Sequence, residues 1–142
     1  MNLEETGKLF ATIAAYHDKF EYGKEKIIAW HHILQEYAFD DCMKAVMDHF
    51  KHSTAWIMPA HITERVQEMQ DQRLQKFGGF MPLNPADEYG PDGNIAPDYR
   101  QKIKALHNLA KHGKITPQQY AAYQAEQLTL EQLHHQAKAI TE

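Results

Sequence analysis

Through the first fifty residues apolar positions recur three and four apart, the period of a helix with one buried face. Asn2 and Glu5 have the spacing of a reciprocal N-terminal cap, and from there Leu3, Gly7, Phe10, Ala14 and His17 fall on one side, widened by Ile13. A first helix is therefore expected to run to about His17. A second, from Lys24 to about Tyr37, aligns Ile27, Trp30, Leu34 and Tyr37. A third begins near Phe39, with Asp40 and Asp41 set against the positive end of its dipole; its face is Phe39, Met43, Val46 and Phe50, with Cys42 and Met47 at the margin. The apolar stretch Trp56-Ile57-Met58 then meets Pro59, a residue suited to the first turn of a helix. The fourth helix carries Ile62, Val66 and Met69 before turning polar towards Phe77. Each stripe needs a partner, and a bundle supplies all of them. The expected fold is all-α, a small helical bundle over residues 1–77. Its core is Phe10, Ile27, Trp30, Leu34, Phe39, Val46, Phe50, Ile62 and Val66. Trp30 should be enclosed by Ile27, Leu34 and Phe50, with Trp56, Ile57 and Met58 tucked beneath the fourth helix as a plug.

The pattern breaks at Gly78-Gly79. Pro82, Pro85, Gly90, Pro91, Gly93 and Pro97 punctuate residues 78–97, which read as a linker. Phe80, Met81, Leu83, Tyr89 and Ile95 within it could lie on a surface groove. Helical period returns in a short C-terminal tail, residues 98–142. Tyr99, Ile103, Leu106 and Ala110 form a stripe closed by Gly113, and Thr116-Pro117 opens a further helix with Tyr120, Tyr123 and Leu128. Thr129 caps a last helix with Leu130, Leu133, Ala137 and Ile140. Short helices joined by Gly-Lys-Ile-Thr-Pro resemble, at the level of pattern, the small C-terminal oligomerisation modules called SHOCT.

Charge adds one feature. The chain carries a net charge of -4, yet Arg100, Lys102, Lys104, Lys111 and Lys114 form a basic island between acidic stretches. Such an island is usually a solvated helix face, and direct nucleic-acid contact through it is the less favoured reading. With 142 residues, 43% hydrophobic composition and a mean hydropathy of -0.64, the chain suits one domain with an appendage. No apolar run approaches the ~20 residues of a membrane span. The start, Met1-Asn2-Leu3-Glu4-Glu5, lacks the basic lead and apolar region of a signal peptide, so a cytoplasmic protein is expected. The single cysteine, Cys42, allows no internal disulfide and agrees with a reducing compartment.

Candidate chemistry is sparse. Ten histidines invite a metal reading, but adjacent pairs such as His31-His32 and His134-His135 point about 100 degrees apart on a helix. His49 and His52 share a face beside Asp48, without the three or four converging ligands a metal requires. Cys42 has no nearer base than His49, two turns away, and no glycine-rich phosphate loop is present. Neither a catalytic residue nor a cofactor or metal site is expected, and the sequence reads as a non-enzyme.

Three segments then carry a resemblance. Glu5-Thr6-Gly7-Lys8-Leu9-Phe10, Ala29-Trp30-His31-His32-Ile33-Leu34 and Tyr37-Ala38-Phe39-Asp40-Asp41-Cys42-Met43-Lys44-Ala45-Val46 look, in order and spacing, like the N-terminal domain of phage replicative helicase loader/inhibitor proteins. The extended segment and helix entry at Trp56–Ile62 sit where that family continues, so the resemblance covers about residues 3–77. It implies a non-catalytic adaptor that binds the hexameric replicative helicase, holds it inactive and delivers it to an origin-bound phage initiator. By that analogy the tail takes the helicase and the head the initiator. The tail face proposed for the helicase is Tyr99, Ile103, Leu106 and Leu109, bordered by Arg100, Lys102 and Lys104, with Leu106 as anchor. Packing of that stripe on the following helices stays open, as does a second function, a small helical DNA-binding regulator using the fourth helix or the basic island. The tail departs from the family pattern, in which this region is poorly ordered.

Overall fold

The computed structural model describes residues 1–79 and 81–141, with side chains described through residue 137 apart from Phe80. Phe80 and the side chain of Ile140, both named above, lie outside the described residues. The fold is all-α. Among the described residues there are eight helices, α1 (Leu3–Tyr16), α2 (Lys24–Leu34), α3 (Phe39–His52), α4 (Pro59–Gln75), α5 (Pro85–Glu88), α6 (Tyr99–Lys111), α7 (Pro117–Gln124) and α8 (Leu130–Thr141). The chain forms two compact units, Met1–Met69 and Gln70–Glu142.

In the first unit α1 packs on α2 and α3. The cap of α1 is reciprocal: Asn2 Oδ1 accepts from the Glu5 N–H at 2.8 Å and Glu5 Oε1 from the Asn2 N–H at 2.9 Å. Its buried face is Thr6, Leu9, Phe10 and Ile13, with Leu3 exposed. The helix is thus turned from the expected Leu3–Gly7–Phe10–Ala14 phase, because turning Leu9 inward instead of Gly7 removes far more apolar surface from water. A similar turn occurs in α3, which buries Asp41, Cys42, Ala45, Val46 and His49 while Met47 stays exposed. The His49 Nε2 hydrogen-bonds the Ala55 carbonyl at 2.8 Å, while its Nδ1 is buried without a hydrogen-bond partner.

Phe10, Leu34, Val46, Ile62 and Val66 are fully buried and Trp30 nearly so, while Ile27, Phe39 and Phe50 pack on them half-buried. Around Trp30 the structure differs from expectation. The indole meets Phe10 edge-on at 4.9 Å between centroids and Phe20 at 6.0 Å, whereas Phe50 stacks on Tyr16 at 5.3 Å. Phe20 is an addition to the expected core, since it lies outside any helical stripe and reaches the tryptophan only through the turn between α1 and α2. The plug is also smaller than predicted. Ile57 alone is buried, and Trp56 and Met58 are exposed. The Met58 N–H donates to His61 Nδ1 at 2.8 Å, a side-chain cap for the otherwise unpaired amide at the start of α4.

The second unit has its own core of Met81, Leu83, Leu106, Leu109, Ala110, Ile115, Tyr123, Leu133 and Ala137, onto which Leu74 and Phe77 pack. The polar end of α4 and the turn after it therefore serve this core through Leu74 and Phe77. The stretch read as a linker also belongs to it, with Met81, Leu83 and Asn84 buried. Prolines there interrupt regular backbone pairing, and side chains replace it: the Pro82 carbonyl accepts from Tyr120 Oη at 2.8 Å and from Gln124 Nε2. The end of α6 is closed by Gly113 at φ +70°, where Arg73 Nε lies 3.1 Å from the position of an added Cβ. That guanidinium donates to the Lys111 carbonyl at 3.1 Å, so the glycine supplies both the left-handed turn and room for the arginine.

Candidate partner-binding surfaces

Helix α6 follows from a clear pattern, and the structure spends that pattern on packing. Leu106 is 0% exposed and Leu109 is 6% exposed, while Tyr99 and Ile103 lie half-buried against the same core. The residues expected to grip a partner are brought together, but on the inner face. Leu106 as a surface anchor is thereby replaced by Leu106 as a core residue, because α5 and α8 pack on α6 and cover its stripe. Of the bordering cations, Lys102 is engaged, its Nζ 3.6 Å from Asp87 Oδ1 and 3.5 Å from Asp98 Oδ1. Arg100 and Lys104 stand exposed on the outer side of the helix.

The same unit exposes two of the apolar residues expected to lie on a groove. Tyr89 and Ile95 face one another across an isolated antiparallel bridge. They are 47% and 61% exposed. The turn between them is tightly closed: the Gly90 N–H donates to the Asn94 carbonyl at 2.8 Å, and the Ala96 N–H to the Glu88 carbonyl at 2.9 Å. Asp92 Oδ1 accepts from the Asn94 N–H at 3.0 Å, and that bond holds its carboxyl below the usual carboxylate range. Gly93 takes φ +81°, as the turn demands. The signal for this hairpin, Pro91-Asp92-Gly93-Asn94 between two apolar residues, is present in the sequence.

Beneath the hairpin lies a polar clasp. Tyr123 Oη donates to Asp87 Oδ2 at 2.7 Å and accepts from the Asn84 N–H at 3.3 Å, and Asn84 Nδ2 donates to the Tyr123 carbonyl at 3.1 Å. Burial, reinforced by the hydrogen bond to Asp87, pushes the Tyr123 phenol well above its ordinary value. It stays a donor at any physiological pH.

In the first unit a shallow groove of about 450 Å³ opens over α1 and α3, floored by Tyr16, Met47 and Phe50 and edged by Lys44 and Lys51. Tyr16 and Met47 are exposed. Asp48, also on the groove, is occupied by Arg65 at 3.0 Å and by His52 at 3.1 Å, which leaves the two lysines to set the local charge. Catalytic features are poor by contrast. Burial raises the Cys42 thiol to about 12, which removes the thiolate needed for nucleophilic chemistry near neutrality. His49 and His52 diverge, one bonding the Ala55 carbonyl and the other the Asp48 carbonyl at 3.2 Å. Among the described residues no group of three or more His, Cys, Asp or Glu is placed to hold a metal. No described helix is long and apolar enough to cross a membrane.

Residues 1–59 match the family model for the N-terminal domain of a phage helicase loader/inhibitor. This is the family whose residues the sequence resembles. The matched loader/inhibitor segment takes in α1, α2 and α3 whole and stops at the first residue of α4. Trp30, the buried face of α3 and the Tyr16–Phe50 groove all lie inside it. The entire second unit lies outside. No curated protein and no solved structure matches the chain.

Proposed function

We propose that this protein is a non-catalytic adaptor of phage DNA replication that binds a hexameric replicative helicase, loading it or holding it inactive, in the host cytoplasm. The observation that carries this reading is the loader/inhibitor domain match over residues 1–59. The division into two compact units suits such work, because an adaptor holding two partners on separate units raises the effective concentration of one at the other. In this reading the second unit takes the helicase and the loader-like first unit an origin-bound initiator, through the groove of Tyr16, Met47 and Phe50.

The test is affinity capture with the full chain from expressing cells, read by mass spectrometry, followed by sedimentation with the purified helicase. Recovery of the replicative helicase in stoichiometric amount is the expected result. The competing reading, a small DNA-binding regulator, draws on the exposed Arg100 and Lys104 of α6. It requires retention of labelled DNA that weakens steeply between about 50 and 200 mM salt. Salt-sensitive DNA retention without helicase would replace the adaptor reading.

A further inference from the structure

The buried stripe of α6 leaves open which surface of the second unit meets its partner, and the hairpin supplies one. Single exposed apolar residues are ordinary on protein surfaces. Two large ones held side by side are less so, above all where a closed turn fixes them. Tyr89 and Ile95 are tied by the bridge, the Gly90–Asn94 and Glu88–Ala96 hydrogen bonds and the Asp92 cap. The base of the hairpin is held in turn by the Asn84–Tyr123–Asp87 clasp. An apolar pair ordered in this way loses little conformational freedom on binding, which is the main route by which a small contact becomes a strong one. A tyrosine beside a branched aliphatic residue also suits insertion into a pocket, one end apolar and the other able to hydrogen-bond at the rim.

The charge around the pair selects its counterpart. Residues 78–97 contain Asp87, Glu88 and Asp92 and no lysine or arginine. Asp87 is engaged inside the unit, while Asp92 sits at the exposed turn. We infer that the Tyr89–Ile95 hairpin is the element that docks on the helicase, inserting both side chains into an apolar pocket rimmed by basic groups. This rests on the helicase-adaptor reading above and names its contact surface. The exposed Arg100 and Lys104 then have no part in gripping, since an acidic hairpin and basic helix face call for opposite partners.

The experiment uses the full chain and the helicase recovered by wild-type capture. Tyr89→Ala/Ile95→Ala should weaken binding by about thirtyfold, the scale of a hot-spot pair. Thermal unfolding should be unchanged, because both side chains are exposed. Tyr89→Phe should retain most of the binding, and Ile95→Lys should lose at least as much as the alanine pair. Arg100→Glu/Lys104→Glu should bind as wild type. Wild-type capture of helicase with undiminished binding by the alanine pair and by Ile95→Lys would overturn the hairpin assignment alone. Failure of the wild type to capture helicase would remove the adaptor reading and this inference with it. A wild-type dimer that the alanine pair converts to monomer, with helicase binding intact, would give the pair to a second copy of the chain and overturn the assignment.

Discussion

In the first unit a cluster of rings joins α1 to α2 and to the turn between them: Phe10 meets Trp30 at 4.9 Å and Phe20 at 5.4 Å, each nearly perpendicular. In the second unit hydrogen bonds add to the apolar core. Tyr120, Tyr123, Gln124 and Asn84 join α7 to the proline-rich stretch 36 to 42 residues earlier in the chain. The difference follows from what each segment offers. Helices α1 to α3 satisfy their own backbones and have bulky faces to spare, so apolar burial can assemble them. The stretch around Pro82 closes short local turns, but its Pro82 carbonyl and Asn84 N–H take their partners from α7. It is held by polar groups that reach over from α7, and each such bond is directional and fails singly.

Breaking the ring cluster should have the largest effect. Trp30→Ala is expected to cost about 3–5 kcal/mol, the range for a large buried aromatic. Both tryptophans, Trp30 and Trp56, lie in the first unit, so fluorescence of the remaining Trp56 should follow that loss in a urea titration. A midpoint that hardly moves would mean the rings do not carry the unit.

Breaking the clasp should cost less. Tyr123→Phe keeps the ring and removes the hydroxyl, leaving the Asn84 N–H and one Asp87 oxygen short of a partner, at an expected cost of about 1–3 kcal/mol. Circular dichroism should register it while tryptophan fluorescence does not. A fluorescence change of the same size would show that the units do not unfold separately.

Alkaline pH sharpens the contrast without mutation. A group whose folded pKa is raised contributes stability that is complete below its unfolded value and is lost as pH climbs towards the folded one. Cys42, raised from 9.0 to about 12 by burial, should weaken the first unit progressively across that interval. Tyr123, starting from 10.0 and raised further, should weaken the second only above the ordinary phenol range. Cys42→Ala should flatten the early part of the fluorescence-detected loss. A profile that is the same in the variant would remove the thiol from the account.

The smallest expected effect is a gain. Glu126 has φ 60° at the end of α7, where its N–H donates to the Tyr123 carbonyl and that of Gln127 to the Ala122 carbonyl, both at 3.0 Å. This left-handed closing position is the one glycine favours. Glu126→Gly should stabilise the second unit by about 0.5–1 kcal/mol, seen as a raised midpoint in circular dichroism.

Much of this was legible in advance. The Asn2–Glu5 cap, the Thr116-Pro117 start of α7, the Pro59 entry into α4 and the Gly113 stop are local events, decided within four or five residues, and the structure has each of them. The rotational phase of α1 and α3 was less accessible, since neighbouring phases share residues and the choice between Gly7 and Leu9 depends on what lies opposite. The surface of the second unit was least accessible. Leu106 belongs to a helical stripe and Ile95 follows a turn signal, but neither pattern says whether the residue packs within the chain or faces outward.

What the sequence by itself determined was the all-α class, the limits of the helices other than α5 to within a few residues and the resemblance carried by residues such as Trp30 and Phe39, because caps, breakers and periodicity act over short spans. Only tertiary structure decided that Met81, Leu83 and Asn84 are buried in a core, that Lys102 is spent on Asp87 and Asp98, and that Tyr89 and Ile95 stand outward. The first of these depends on groups tens of residues away: Tyr120, Tyr123 and Gln124 supply partners for the Pro82 carbonyl and the Asn84 N–H. A backbone group without a partner nearby takes one from whatever part of the chain can supply it.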